Sequence, residues 1–165
     1  RRALKPMRKS SILVLALALS LCAAARAADL PMRFNPARDA ATDVAQAIAM
    51  ARADGKHVIV DVGGEWCSWC HILDRFIASH AELHALINSR YVWVKVNVSK
   101  ENRNQAFLAR WPRIEGYPHL FILDADGRLV HSQDTGVLES GKSYDEARFA
   151  AMLRRWSASG VTNRT

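Results

Sequence analysis

Two thiols stand three residues apart in Glu65-Trp66-Cys67-Ser68-Trp69-Cys70-His71. Cysteines at this spacing can close a disulfide across one helical turn and reopen it, or supply half of a zinc site. Cys67-Ser68-Trp69-Cys70-His71 also fits C-x-x-C-H, the c-type haem attachment pattern. The flanking residues favour redox chemistry. His57-Val-Ile-Val-Asp-Val62 is a short apolar, β-branched run and reads as a buried strand. Residues 72, 73, 76 and 77 of Ile72-Leu-Asp-Arg-Phe-Ile77 are apolar, which is helical spacing. Gly63-Gly64 lies between, where the chain must turn. Cys67 therefore falls at a helix start, where unpaired N–H groups and the helix dipole favour an anion. It is the expected nucleophile, with a lowered pKa, and Cys70 lies one turn further in, toward the core. A zinc site lacks a second Cys/His pair at ligand spacing, and small cytochromes are mostly helical, unlike this chain.

The elements that must position these thiols can be read along the chain. The spacing predicts a helix over 40–54, with Thr42 as its cap and Gly55 as its stop. Strand 57–62 and the cysteine helix, to about Ala78, follow. Ser79-His-Ala-Glu82 has the form of a capping box for a helix over 80–88. Tyr91–Val98 alternates and reads as a strand, and 102–111 as a helix with Phe107, Leu108 and Trp111 inward. Pro118–Leu123 and 128–131 read as a hairpin around Asp124-Ala-Asp-Gly127. Residues 132–142 read as a polar loop, and Ser143-Tyr-Asp-Glu146 as a second capping box opening a helix to about Trp156. Residues 28–38, with Pro31 and Pro36, read as irregular. This order implies an α/β fold, a mixed sheet with helices on both faces.

Val60-Asp61-Val62-Gly63-Gly64-Glu65-Trp66-Cys67-Ser68-Trp69-Cys70 resembles the active-site stretch of the thioredoxin superfamily. The Trp between the cysteines and Asp124-Ala-Asp-Gly127 are similar to secreted bacterial thioredoxin-like proteins, including the thioredoxin-like domain of the transmembrane disulfide reductase. The resemblance covers roughly residues 40 to 156. It implies that Asp61 is a buried acid that accepts a proton from Cys70. The reading from the strand alone leaves Asp61 pointing to solvent as the alternative. The resemblance places Lys95 near Asp61, whereas alternation with Val94 and Val96 is equally met by a surface lysine. Gly116-Tyr117-Pro118 resembles the loop that carries the family's cis-proline, which abuts the disulfide and hydrogen-bonds an extended substrate. Trp66, Trp69 and Tyr117 would then line the sulfurs, with core packing as the plain alternative. His71 replaces the family's lysine and is a candidate to stabilise the Cys67 thiolate, while Glu65 is expected to be solvated.

Charge and cysteine usage bound the rest. The 165 residues carry a net charge of +7, but six basic groups and no acid lie within residues 1–27. Without them, 17 basic residues face 16 acidic ones, which gives no reason to expect nucleic-acid binding. Residues 7–10 form a positive n-region, 12–21 an apolar stretch short for a membrane span, and Ala25-Arg26-Ala27 a cleavage site. A signal peptide over 1–27 and an exported, periplasmic domain over 28–165 are expected. A membrane anchor, a twin-arginine signal and a lipid-modified Cys22 are the competing readings. Cleavage leaves only Cys67 and Cys70, and one adjacent pair is poor stapling. The expectation is a monomeric thiol–disulfide oxidoreductase that reduces or isomerises protein disulfides. It would need no cofactor beyond the cysteine pair, and a membrane reductase would supply electrons. A non-catalytic binding module and a haem protein are the alternatives.

Overall fold

The computed structural model describes residues 30–157. The leader and the tail beyond Ser157 lie outside them. Helix α1 spans Ala40–Asp54 and strand β1 His57–Gly63. The cysteine helix α2 is Ser68–Ser79, followed by α3 (Ala81–Arg90) and β2 (Tyr91–Asn97). The short α4 is Gln105–Leu108, and β3 and β4 are His119–Leu123 and Leu129–Asp134. A 3-10 turn over Thr135–Leu138 leads into the small hairpin β5 (Glu139–Ser140) and β6 (Ser143–Tyr144), and α5 is Glu146–Trp156.

The strands order as β2-β1-β3-β4. β1 runs parallel to β2 and antiparallel to β3, and β3 antiparallel to β4. Period-two alternation then sorts the side chains into two layers. Val58, Val60 and Val62 face α1 and α4, with Val44, Ala47 and Phe107. Ile59, Leu120 and Ile122 face α2, α3 and α5, with Leu73, Leu83 and Phe149. Both faces are covered, which explains why β1 and β3 read as continuous apolar runs.

Local chemistry moved several boundaries. Asp39, not Thr42, caps α1: its carboxylate accepts from the Thr42 N–H, and Gly55 ends the helix in the left-handed conformation, φ 66°. Neither predicted capping box forms. Ser79 Oγ donates to the Phe76 carbonyl and α3 has no side-chain cap bond, while Ser143 pairs in β6 and Asp145 caps α5. The helix predicted over 102–111 shrinks to one turn. Asn104 has φ 46° and takes its N–H to Asn102 Oδ1 and its amide to the Asn97 carbonyl, so these asparagines offer the backbone local bonds in place of helix. Part of the predicted polar loop is instead the end of β4, the 3-10 turn and β5.

Candidate active site

β1 ends at Gly63, the chain turns through Gly64-Glu65-Trp66, and α2 opens with Cys67 as its N-cap. Cys67 and Cys70 are joined as a disulfide, with their Cα atoms 5.2 Å apart. Cys67 Sγ accepts from the Cys70 backbone N–H at 3.1 Å, so the sulfur itself takes one of the unpaired donors of the helix start. The same N–H and the helix dipole would stabilise a thiolate there. Both cysteines are buried, Cys67 at 4% and Cys70 at 1% exposure. Phe34 packs with them, and Trp69 and Tyr117 cover the cluster.

A charged group lies inside the core, between the sheet and α2. Asp61 and Lys95 are register partners across β1 and β2, on the face that looks to α2. Lys95 Nζ donates to Asp61 Oδ2 at 2.7 Å and to Asp74 Oδ1, on α2, at 2.8 Å. Trp93 Nε1 also donates to Asp61 Oδ2, at 3.2 Å. Asp61 is fully buried, and its Oδ1 has no hydrogen-bond partner. Burial pushes its carboxyl above the ordinary range, and the Lys95 cation only partly opposes this. Lys95 is nonetheless held above the ordinary lysine range: burial favours its neutral form, but the two carboxylates, Asp61 first, outweigh it.

The Tyr117–Pro118 peptide bond is cis, and Thr135 Oγ1 donates to the Pro118 carbonyl at 2.6 Å. Tyr117 meets Trp66 edge-on, ring centroids 5.6 Å apart. Trp66 is 60% exposed, fixed by its Nε1 donating to the Val98 carbonyl at 2.6 Å, so core packing does not describe it. Trp69 is half-buried and meets Tyr144 edge-on. A groove of about 890 Å³ opens beside Trp66 and Tyr117 and runs along Ser99, Leu108 and Pro112.

The structure thus brings Cys67, Cys70, Trp69, Tyr117 and Phe34 together and sets Asp61 with Lys95. Asp61 does not point to solvent, and Lys95, with a side chain only 6% exposed, is no surface residue. Glu65 is not simply solvated: Oε1 accepts from the Phe34 N–H at 3.0 Å. His71 Nε2 is 2.8 Å from the Glu65 carbonyl oxygen, a bond that turns the ring toward the strand-to-helix turn. Sequence reasoning missed Asp74 and Phe34. Asp74 was recoverable, since it lies four residues after Cys70 and shares its helix face. Phe34 was signalled only by a lone aromatic between prolines facing two adjacent glycines.

Sheet order, the dithiol at a helix N-terminus and the neighbouring cis-proline define a thioredoxin-like α/β protein. Residues 39–125, more than half of the chain, match the family described as Thioredoxin-like, and the chain belongs to that family. Among curated relatives, the thiol:disulfide interchange protein DsbD of Klebsiella pneumoniae is 26% identical over 111 residues, covering 67% of this chain and 17% of that protein. DsbD of Citrobacter koseri is 27% identical over 107 residues, covering 64% and 18%. The chain thus spans less than a fifth of the length of these relatives. A solved disulphide isomerase from Xylella fastidiosa superposes with a TM-score of 0.65 at 23% identity, covering 79% of this chain and 98% of that one. The oxidised DsbD C-terminal domain of Neisseria meningitidis gives 0.51 at 20%, covering 72% and 96%.

Proposed function

We propose that the chain is an exported, periplasmic thiol–disulfide oxidoreductase that reduces or isomerises protein disulfides, with Cys67 as nucleophile and Cys70 as resolving thiol. The observation that carries this is the Cys67–Cys70 disulfide at the α2 N-terminus, with Cys67 Sγ taking a backbone donor. In the reductive cycle the Cys67 thiolate attacks one sulfur of a substrate disulfide. That S–S bond breaks, the other substrate sulfur leaves as a thiolate and takes a proton, and a mixed disulfide remains. Cys70 loses its proton to Asp61, whose free Oδ1 and desolvated setting, which raises its carboxyl, suit a base. The Cys70 sulfur then attacks Cys67 Sγ and the second substrate thiol departs. Two electrons have passed to the substrate and the Cys67–Cys70 disulfide is restored. Lys95 holds Asp61 in place, and Trp66, Tyr117 and Pro118 present the surface on which an extended substrate lies.

No metal or organic cofactor enters this cycle, and the purified protein is expected to be colourless, which separates it from a haem carrier. The cysteines must be reset by an electron donor. The DsbD relatives are named for thiol:disulfide interchange, which supports exchange with another dithiol, and a membrane reductase is the donor proposed here. A periplasmic location is proposed from the basic and apolar pattern of residues 1–27, and it predicts a mature N-terminus near Ala28 on mass spectrometry. The test is the reduction potential of the pair, followed by Trp fluorescence in glutathione buffers. The uncharged Ser68-Trp69 insert and the nearby Asp61 oppose strong thiolate stabilisation. A value of roughly −270 to −200 mV is therefore expected, the range of thioredoxin and glutaredoxins. A value near −120 mV, that of a strong disulfide donor, would reverse the direction. A non-catalytic binding module would keep its partners after both cysteines are replaced.

A further inference from the structure

Gly63 has no side chain, and the space its Cβ would take is already filled. A Cβ there would lie 2.5 Å from Cys70 Sγ and 2.9 Å from Phe34 Cζ. The Phe34 ring thus lies against the inner sulfur of the pair, in the position left open by the glycine. The same ring also meets charge, with Lys95 Nζ 4.2 Å from its centroid, a cation–π contact with the lysine of the Asp61–Lys95 pair. Phe34 is 3% exposed although it belongs to no helix or strand.

The segment that carries Phe34 is tied down at three of its residues, 34, 36 and 38. Glu65 Oε1 accepts its N–H, which locks it to the turn before Cys67. Further on, Asn102 donates to the Pro36 carbonyl, and the Arg38 guanidinium pairs with both oxygens of Asp43 on α1. On the near side, Pro31 and Met32 form part of the wall of a cavity of about 550 Å³ that reaches Asp74 and Lys95. The segment thus runs from the wall of that cavity, at Pro31 and Met32, to Phe34 at the inner thiol.

We propose that residues 31–38 form a strap in which Phe34 is a positioning residue for the resolving step: its ring shields Cys70 from solvent and foreign thiols and keeps the Asp61–Lys95 pair dry. The strap confines attack to Cys67 and preserves the desolvation that makes Asp61 basic. Only its consequence for turnover rests on the oxidoreductase reading. The shielding of Cys70 does not.

The experiment uses the full chain with Cys22→Ser and Cys67→Ser, so that Cys70 is the one thiol left to report. The rate of its alkylation by iodoacetamide is followed from pH 6 to 10, with and without Phe34→Ala. The titratable groups around the sulfurs are Asp61, Lys95, Asp74, His71, Glu65, Tyr117 and Tyr144, and Phe34→Ala changes none of them. Near-UV circular dichroism establishes that each variant is folded. Loss of the ring is expected to speed alkylation about tenfold and to lower the pH of half-maximal rate, as water reaches a thiol that was sealed. Phe34→Leu should restore most of the protection. Where Phe34→Ala does not fold, Glu65→Ala releases the clasp and leaves the ring, and a smaller acceleration is expected. A folded Phe34→Ala, or in its place Glu65→Ala, with wild-type rate and pH profile overturns the proposal. Protection by Phe34 without disulfide turnover in the two-cysteine protein would refute the oxidoreductase reading and leave the strap standing.

Discussion

Cys67 and Cys70 differ by position more than by chemistry. Cys67 Sγ holds the N-cap bond, whereas Cys70 Sγ lies against Gly63 and Phe34. In the reduced protein iodoacetamide should therefore label Cys67 first, and Cys70→Ser should trap mixed disulfides while Cys67→Ser traps few. Equal labelling of the two thiols would remove the assignment. Asp61 has one oxygen held by Lys95 and Trp93 and the other free. A raised carboxyl gains base strength but must still ionise near neutrality, which is the work of the Lys95 cation. Asp61→Asn should slow resolution of a mixed disulfide about 100-fold near pH 7, the low end of the range for a lost proton acceptor, with the fold intact. Lys95→Met should instead keep the base but push its titration upward, so the rate profile moves to higher pH. An unchanged stopped-flow profile in both variants would make the pair purely structural.

The elements show where a sequence speaks and where it is silent. Asp39, one residue before α1, accepts the Thr42 N–H. Asp39→Ala should therefore lower the melting temperature by about 3–5 °C, while Thr42→Ala, which leaves the cap bond, should change it little. Differential scanning calorimetry of the two separates them, and the reverse order would mean that the cap is not made by Asp39. Periodicity predicted β1, α2, β2, β3 and α5 because their apolar faces each meet a sheet layer, as Ile59 and Leu73 do. The dithiol was legible for the same reason: a buried strand, two glycines and a helix start fix Cys67 without any distant information. The capping boxes misled because a serine hydroxyl has local alternatives. Ser79 found the Phe76 carbonyl and Ser143 a hairpin partner. The 102–111 helix misled because three asparagines, at 97, 102 and 104, bond to one another's backbone and to Pro36. Lys95 remained undecided until register fixed it opposite Asp61, and Phe34 gave no periodic signal, since its burial depends on a gap created 29 residues later at Gly63.

At the scale of the whole molecule, the sheet separates two buried titratable side chains. Asp61 faces α2, while His119, 4% exposed, lies on the opposite layer against Phe121, ring centroids 4.7 Å apart. Burial raises the Asp61 carboxyl and lowers the His119 imidazole, in each case because the charged form is desolvated. Their linkages to stability therefore have opposite slopes. Asp61, raised, contributes stability that is present below its unfolded value, near 3.9, and lost as pH rises through its folded value. His119, lowered, contributes stability that is complete above its unfolded value, near 6.5, and lost as pH falls through its folded value. Its Nε2 lies 2.8 Å from Ser132 Oγ, and its buried Nδ1 has no partner, so a proton added there would enter the core without an acceptor. His57 is lowered by burial as well and keeps part of the slope in any single variant. In His119→Gln the amide can still reach Ser132 but does not titrate. The Asp61 slope is common to wild type and His119→Gln and cancels in their difference, so the gap in melting temperature between the two oxidised proteins is expected to narrow from pH 7 to pH 5. The gap narrows because the wild type alone pays for protonating position 119. A gap that stays constant from pH 7 to pH 5 would show that His119 does not titrate in that window.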